Sequence, residues 1–158
     1  MDDVQRLVAV DQIEKLKSRY FRALDMKDWA AFAANFTEDI VFDFTESDTG
    51  DDVDKLVRHI YQVDGAAAAA EWARTAIGNA TTSHHGHMPD IEILDEDTAT
   101  GIWSLNDQIW FTKDSGFPYA KLEGYGHYYE DYRRVDGVWK VARTKFVRHH
   151  AIFTPWDQ

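Results

Sequence analysis

The chain has 158 residues, a formal net charge of −11 and no cysteine. The acidity excludes nucleic acid or an anionic membrane as the main partner, since both need a basic face. The missing cysteines exclude disulfides and thiolate chemistry. The length suits one domain, residues 1–158, with a real core. Aromatic residues make up 14% of the chain, and rings with polar tips suit a core that also lines a cavity. MDDVQRLVAV has no basic leader, and the longest purely apolar run is the five alanines 66–70. The expectation is a cytoplasmic protein without a signal peptide or membrane span.

In chain order, Asp11 and Glu14 form a D-x-x-E pattern that predicts a helix start. Ile13, Leu16, Tyr20, Ala23 and Leu24 then follow a 3.6-residue period, with Asp25 at the flank of the stripe. Asp28 predicts a second N-cap. Trp29, Phe32, Ala33 and Phe36 predict a short helix ending near Thr37. Ile40, Phe42 and Phe44 alternate with Val41 and Asp43 as in a strand. TESDTGDD (45–52) reads as an acidic loop. Val53, Leu56, Val57, Ile60 and Tyr61 predict a third helix, broken at Gly65, and AAAAAEWARTA has the propensity for another.

The second half changes character. Residues 80–94, 98–112, 119–135 and 138–152 predict four long strands. Asp136-Gly137 between apolar runs is a two-residue hairpin signal. Pro89 cannot donate to a ladder and predicts a kink or bulge. Helices followed by an antiparallel meander mean an α+β fold, with N-terminal helices packed on a curved, mostly antiparallel sheet. Such a sheet curls into a half-open cone, and its hollow is the natural place for a ligand.

TTSHHGHMPDIEI (81–93) holds three of the seven histidines. His84 with Asp25 makes a candidate general base, the carboxylate fixing the tautomer. The alternative is a structural histidine and a capping aspartate. His85 and His87 share the opposite strand face and suit zinc or iron only if a third ligand converges, from His127, His149, His150 or Asp107. Aromatic packing or a subunit contact is the other reading. Asp107 shares a face with Trp103, Leu105 and Ile109, where a carboxylate must be paired or functional. In GYGHYYEDYRR, Gly124, Gly126, Tyr128, Glu130 and Tyr132 share one face. In KFVRHH, Phe146, Arg148 and His150 alternate against Lys145, Val147 and His149; Arg148 suits an acidic ligand group or a surface ion pair.

Tyr20-x4-Asp25, KDW at 27–29, HHGHMPDIEI, the set Gly101, Trp103, Leu105, Asp107, and GHYYEDYRRVDGVWKV together resemble the SnoaL-like family of the nuclear transport factor 2-like superfamily. The resemblance runs from about residue 8 to 150. It implies a cone-shaped half-open α+β barrel with a deep pocket. It also implies an Asp25–His84 acid/base dyad, with Tyr20 and Asp107 at matching positions; Phe44, Tyr128 and Arg148 join them as expected ligand-binding residues. The implied activity is that of a lyase or isomerase, dehydratase- or cyclase-like, needing no cofactor and no metal. Its ligand would be a hydrophobic oxygenated ring compound of steroid, polyketide or aromatic type. One dehydratase of the family has tyrosines where this chain has Leu24 and Phe44, and a second histidine near Ile109, so that enzyme's own substrate is not expected. Relatives associate through the outer sheet face, which implies a homodimer or homotrimer. Two further expectations stay open: a passive ligand-binding protein, and a small subunit of an aromatic-ring dioxygenase.

Overall fold

The computed structural model describes residues 1–46 and 62–157. Helix α1 spans Asp3–Asp25. Its capping box is formed by Asp2 and Gln5, each side chain bonding the other's backbone N–H at 2.8 Å. The sequence placed the start at Asp11. That residue instead lies inside the helix and pairs with Lys15 one turn on, at 2.7 Å. The upstream turns stay helical because they carry core residues, Ala9 being fully buried.

Met26 caps the C-terminus of α1, and Lys27 takes the left-handed conformation at φ 61°. Asp28 then caps α2, Trp29–Ala33, accepting from the Ala31 N–H at 3.0 Å. Phe36 and Thr37, expected in that helix, open strand β1, Phe36–Asp43. Phe36 still packs on Phe32, ring centroids 4.8 Å apart. A buried ring serves the core from either conformation, so the apolar spacing could not tell them apart.

Strand β2, Gln62–Asp64, is a short element the sequence did not announce. The predicted third helix and the rest of the acidic loop lie outside the described residues. Gly65 sits at φ 94°, and α3, Ala66–Ile77, follows it. Strands β3 Thr81–Ile93, β4 Thr98–Trp110, β5 Tyr119–Val135 and β6 Val138–Pro155 match the four predicted stretches closely. Asp136 and Gly137 turn β5 into β6 with φ 50° and 80°, the paired positive values a two-residue hairpin requires. The ladder slips between His87 and Asp90, around Pro89, with Met88 at φ 36°.

The sheet order is β2-β1-β6-β5-β4-β3. Among the described strands only β1 and β6 run parallel. The three described helices pack on one face of this curved, open α+β sheet. Alternation sends Ala99, Trp103, Leu105 and Asp107 inward, with Leu122, Tyr128, Glu130 and Tyr132 beside them. Helix α1 lies over β3, its buried face formed by Ile13, Leu16, Lys17, Tyr20 and Leu24. No described helix is long and apolar enough to cross a membrane.

Candidate active site

Asp25 is the last residue of α1, and His84 lies near the start of β3. Their side chains meet: His84 Nδ1 is 2.6 Å from Asp25 Oδ1. The His84 backbone N–H donates to Asp25 Oδ2 at 3.0 Å. The imidazole stacks against Phe21 at 6.3 Å with an 8° interplanar angle. Gly86 permits this approach, since a Cβ there would press to 2.8 Å on the Phe21 ring. The His84 side chain is 7% exposed and that of Asp25 24%, so the pair sits at the edge of the interior.

Thr82, two residues before His84, donates its hydroxyl to Asp25 Oδ1 at 2.8 Å. The Lys27 ammonium donates to the same hydroxyl oxygen at 2.8 Å. Burial works to raise the Asp25 carboxyl, but the hydrogen bonds and charge of His84, with Thr82, outweigh it and hold it below its usual range. Burial lowers Lys27, and the Asp25 charge opposes that shift.

A row of residues crosses the inner face from the dyad. His84 stands opposite Asp107 on β4, and Asp107 opposite Gly124 on β5. Arg148, on β6, reaches across Gly124 to donate through Nη2 to Asp107 Oδ2. A Cβ on Gly124 would overlap both the carboxylate and the guanidinium. The sequence readings for Asp107 and Arg148 thus meet: each is the other's partner, and the pair is nearly buried. Asp107 Oδ1 and Arg148 Nε have no protein partner among the described residues.

Tyr20 and Tyr128 complete this group, ring centroids 6.2 Å apart. Burial foremost, with their hydrogen bond and the Asp107 and Glu130 charges, raises Tyr20 well above an ordinary phenol. Burial likewise raises Tyr128, followed by the charges of Asp107 and Glu130. Both hydroxyls therefore stay protonated near neutral pH. Phe44 stands farther off. It packs on Trp72 at 4.6 Å and on Phe146 at 6.1 Å, and Phe146 contacts Tyr128 at 5.2 Å.

A second polar cluster escaped the sequence reading. Lys17 Nζ lies 2.6 Å from Glu130 Oε1, both side chains essentially fully buried. Glu130 also accepts from Tyr132 at 2.6 Å and Thr144 at 3.2 Å, and Trp103 Nε1 donates to Tyr132 at 2.7 Å. The ammonium sits 3.7 Å from the Tyr128 ring centroid. Burial lowers Lys17, while the Glu130 charge and hydrogen bond oppose it. The signal was present: Lys17 falls four residues after Ile13 and three before Tyr20, inside the buried stripe.

The other described histidines occupy the outer face. His85 and His87 stack at 6.2 Å, and His127 and His149 lie 5.5 Å apart. His150 was expected with Phe146 and Arg148. A register shift at Tyr125/Gly126 reverses the alternation, and His150 stacks on outward-facing Tyr125 at 5.9 Å. The third ligand that a metal reading of His85 and His87 needs does not converge among the described residues. One surface depression lies by the start of α1, near Val4 and Val8, and another along its middle, near Lys15 and Arg19; neither includes Asp25 or His84.

The model of the SnoaL-like domain family matches residues 5–145. The fold is shared with a scytalone dehydratase-like protein from Novosphingobium aromaticivorans, at TM-score 0.78 and 22% identity over 99% of each chain. It is shared too with the type 2 hexachlorocyclohexane dehydrochlorinase LinA, at TM-score 0.76 and 20% identity over 99% of this chain and 94% of that one. A type 3 LinA from Novosphingobium barchaimii LL02 gives TM-score 0.73 and 18% identity over 98% and 94%. At these identities the likeness is one of fold.

Proposed function

The chain belongs to the SnoaL-like domain family, and from that premise we propose that it is a cofactor-independent lyase or isomerase acting through His84 and Asp25. The observation that carries the reading is the 2.6 Å contact between His84 Nδ1 and Asp25 Oδ1. His84 Nε2 has no protein hydrogen bond among the described residues. Its lone pair takes a proton from an acidic C–H of the substrate. The C–H electrons form a new double bond, and a leaving group departs from the neighbouring carbon, or the proton returns elsewhere for an isomerisation. Asp25 remains a carboxylate and stabilises the imidazolium.

Protonated Tyr20 and Tyr128 share one hydrogen bond, which leaves one hydroxyl hydrogen to donate to an oxygen that gains negative charge. Arg148, oriented by Asp107, offers the unpartnered Nε to an acidic or carbonyl group, and Phe44 belongs to the aromatic lining. These features favour a hydrophobic ring compound bearing oxygens. Related enzymes named for dehydration and dehydrochlorination support an elimination. The test is turnover of a panel of hydroxylated, halogenated and keto ring compounds by wild type, His84→Gln and Asp25→Asn. Loss of His84 should lower kcat by about 10²–10⁴-fold. Turnover that survives His84→Gln at the wild-type rate rejects the dyad.

We also propose self-association through the outer sheet face. Ile102, Trp110, Tyr125, Tyr129 and Ile152 are all exposed there, at 37–43%. Between them Ser104, Asn106, His127 and Val147 carry no formal charge, while Lys121, Glu123 and Lys145 stand opposite Trp110, Ile152 and Tyr129. A second copy of a chain at −11 is repelled elsewhere and meets least repulsion here. A basic partner would be drawn to the acidic remainder instead.

A further inference from the structure

We infer that Lys27 and Thr82 are positioning residues of the proposed site: with Asp25 they form a one-way hydrogen-bond chain that keeps the proton of His84 on Nδ1 and Nε2 free as the base. The inference rests on the reading of His84 as the catalytic base and extends it to two residues outside the dyad.

The direction of the chain follows from what each group can donate. An ammonium has donors and no lone pair, so at the 2.8 Å contact Lys27 gives and the Thr82 oxygen accepts. A hydroxyl has one hydrogen. With its oxygen already accepting from Lys27, Thr82 turns that hydrogen to Asp25 Oδ1, 2.8 Å away. The His84 backbone N–H, which can only donate, occupies Oδ2 at 3.0 Å. Asp25 therefore receives two hydrogen bonds whose direction is fixed before the imidazole is considered. A carboxyl in that position is held as the carboxylate, which accepts only. The 2.6 Å contact to His84 Nδ1 then requires the hydrogen on Nδ1. The depressed titration of Asp25 agrees with this order of donors.

The backbone supplies the geometry. Lys27 lies two residues past Asp25, and its positive φ of 61° turns the chain at the end of α1. Thr82 and His84 are two apart on β3, so they share the inner face and reach the same carboxylate. Thr82 is 8% exposed, so its hydroxyl has little water to bond instead. Asp25 is the last residue of α1, and the sheet brings a hydroxyl, a backbone N–H and an imidazole to it from one strand.

The experiment needs no substrate. Long-range proton–nitrogen NMR correlations of His84 identify its neutral tautomer in the wild-type protein, and carbon-13 spectra follow the Asp25 carboxyl through an acid titration. The same titration is run on Thr82→Val, Thr82→Ser and Lys27→Met. The expected result is Nδ1–H in wild type. Thr82→Val and Lys27→Met should each shift the Asp25 titration upward toward an ordinary aspartate, with Thr82→Ser staying at the wild-type position. If Thr82→Val does not fold, Lys27→Met against wild type decides. A wild-type His84 with its proton on Nε2 overturns the inference, as does an Asp25 titration unmoved in the folded variants. Failure of every ring compound to turn over would count against the proposed function while these spectra still judge the chain of hydrogen bonds.

Discussion

His84 and Asp25, 59 residues apart in sequence, are joined twice: ring Nδ1 to Oδ1 at 2.6 Å and backbone N–H to Oδ2 at 3.0 Å. The carboxylate thus fixes the ring and the strand that carries it. Removing Asp25 should therefore disturb stability as well as any chemistry.

The sign of that effect follows from the depressed Asp25 carboxyl. A group whose folded pKa lies below its unfolded value, about 3.9 for aspartate, contributes stability that is full above the unfolded value. The contribution drains as pH falls from about 5 through the folded value. Asp25→Asn should melt below wild type at pH 7, and the gap should narrow as pH approaches 3. Thermal melts across that range check it; a gap independent of pH rejects the linkage.

Lys17 and Glu130 form a buried ion pair in which Thr144 shares Oε1 with the ammonium and Tyr132 donates to Oε2. Lys17→Met leaves the Glu130 charge in the core without its counter-ion. We expect a loss of about 3–5 kcal/mol by urea denaturation. The double variant Lys17→Met with Glu130→Gln should recover part of it, because no charge remains stranded. A single-variant loss below about 1 kcal/mol would be that of an exposed pair instead.

Gly124 is held free of a side chain by the Asp107–Arg148 pair that lies across it. Gly124→Ala should cost roughly 1–3 kcal/mol through overpacking. It should also separate the pair, which a crystal structure of the variant would show. An unchanged pair geometry with full stability contradicts the account.

On the outer face, Ile102 stands opposite Tyr129. Tyr129→Glu places a carboxylate in the exposed apolar patch. Light scattering should find wild type as a dimer or trimer and the variant as a monomer of unchanged circular dichroism. A wild-type monomer at the same concentration ends the self-association proposal.

Much of the fold was legible because local periodicity records local burial. The alternation of β4, the Asp136-Gly137 turn and the break at Pro89 each express a backbone constraint carried by the residues themselves. Errors came where two conformations bury the same residue. Phe36 is apolar in a helix or a strand, and Asp11 matches a cap pattern in a helix that had already begun at Asp2.

In the site, the sequence by itself determined which residues share a face: His84 against His85 and His87, and Tyr128 with Glu130 and Tyr132. It also placed Asp25 at the edge of the α1 stripe, and the family pattern pointed to its partner. Only the tertiary structure decided the contacts. The reach of Arg148 to Asp107 depends on three strands in register and on a glycine between them. The place of His150 depends on one extra residue in β6. The bonds from Lys27 to Thr82 and from Thr82 to Asp25 depend on how α1 settles over β3, which Gly86 permits by leaving room for Phe21. Such contacts join residues far apart in the chain, and no local repeat encodes the distance between a helix end and a strand.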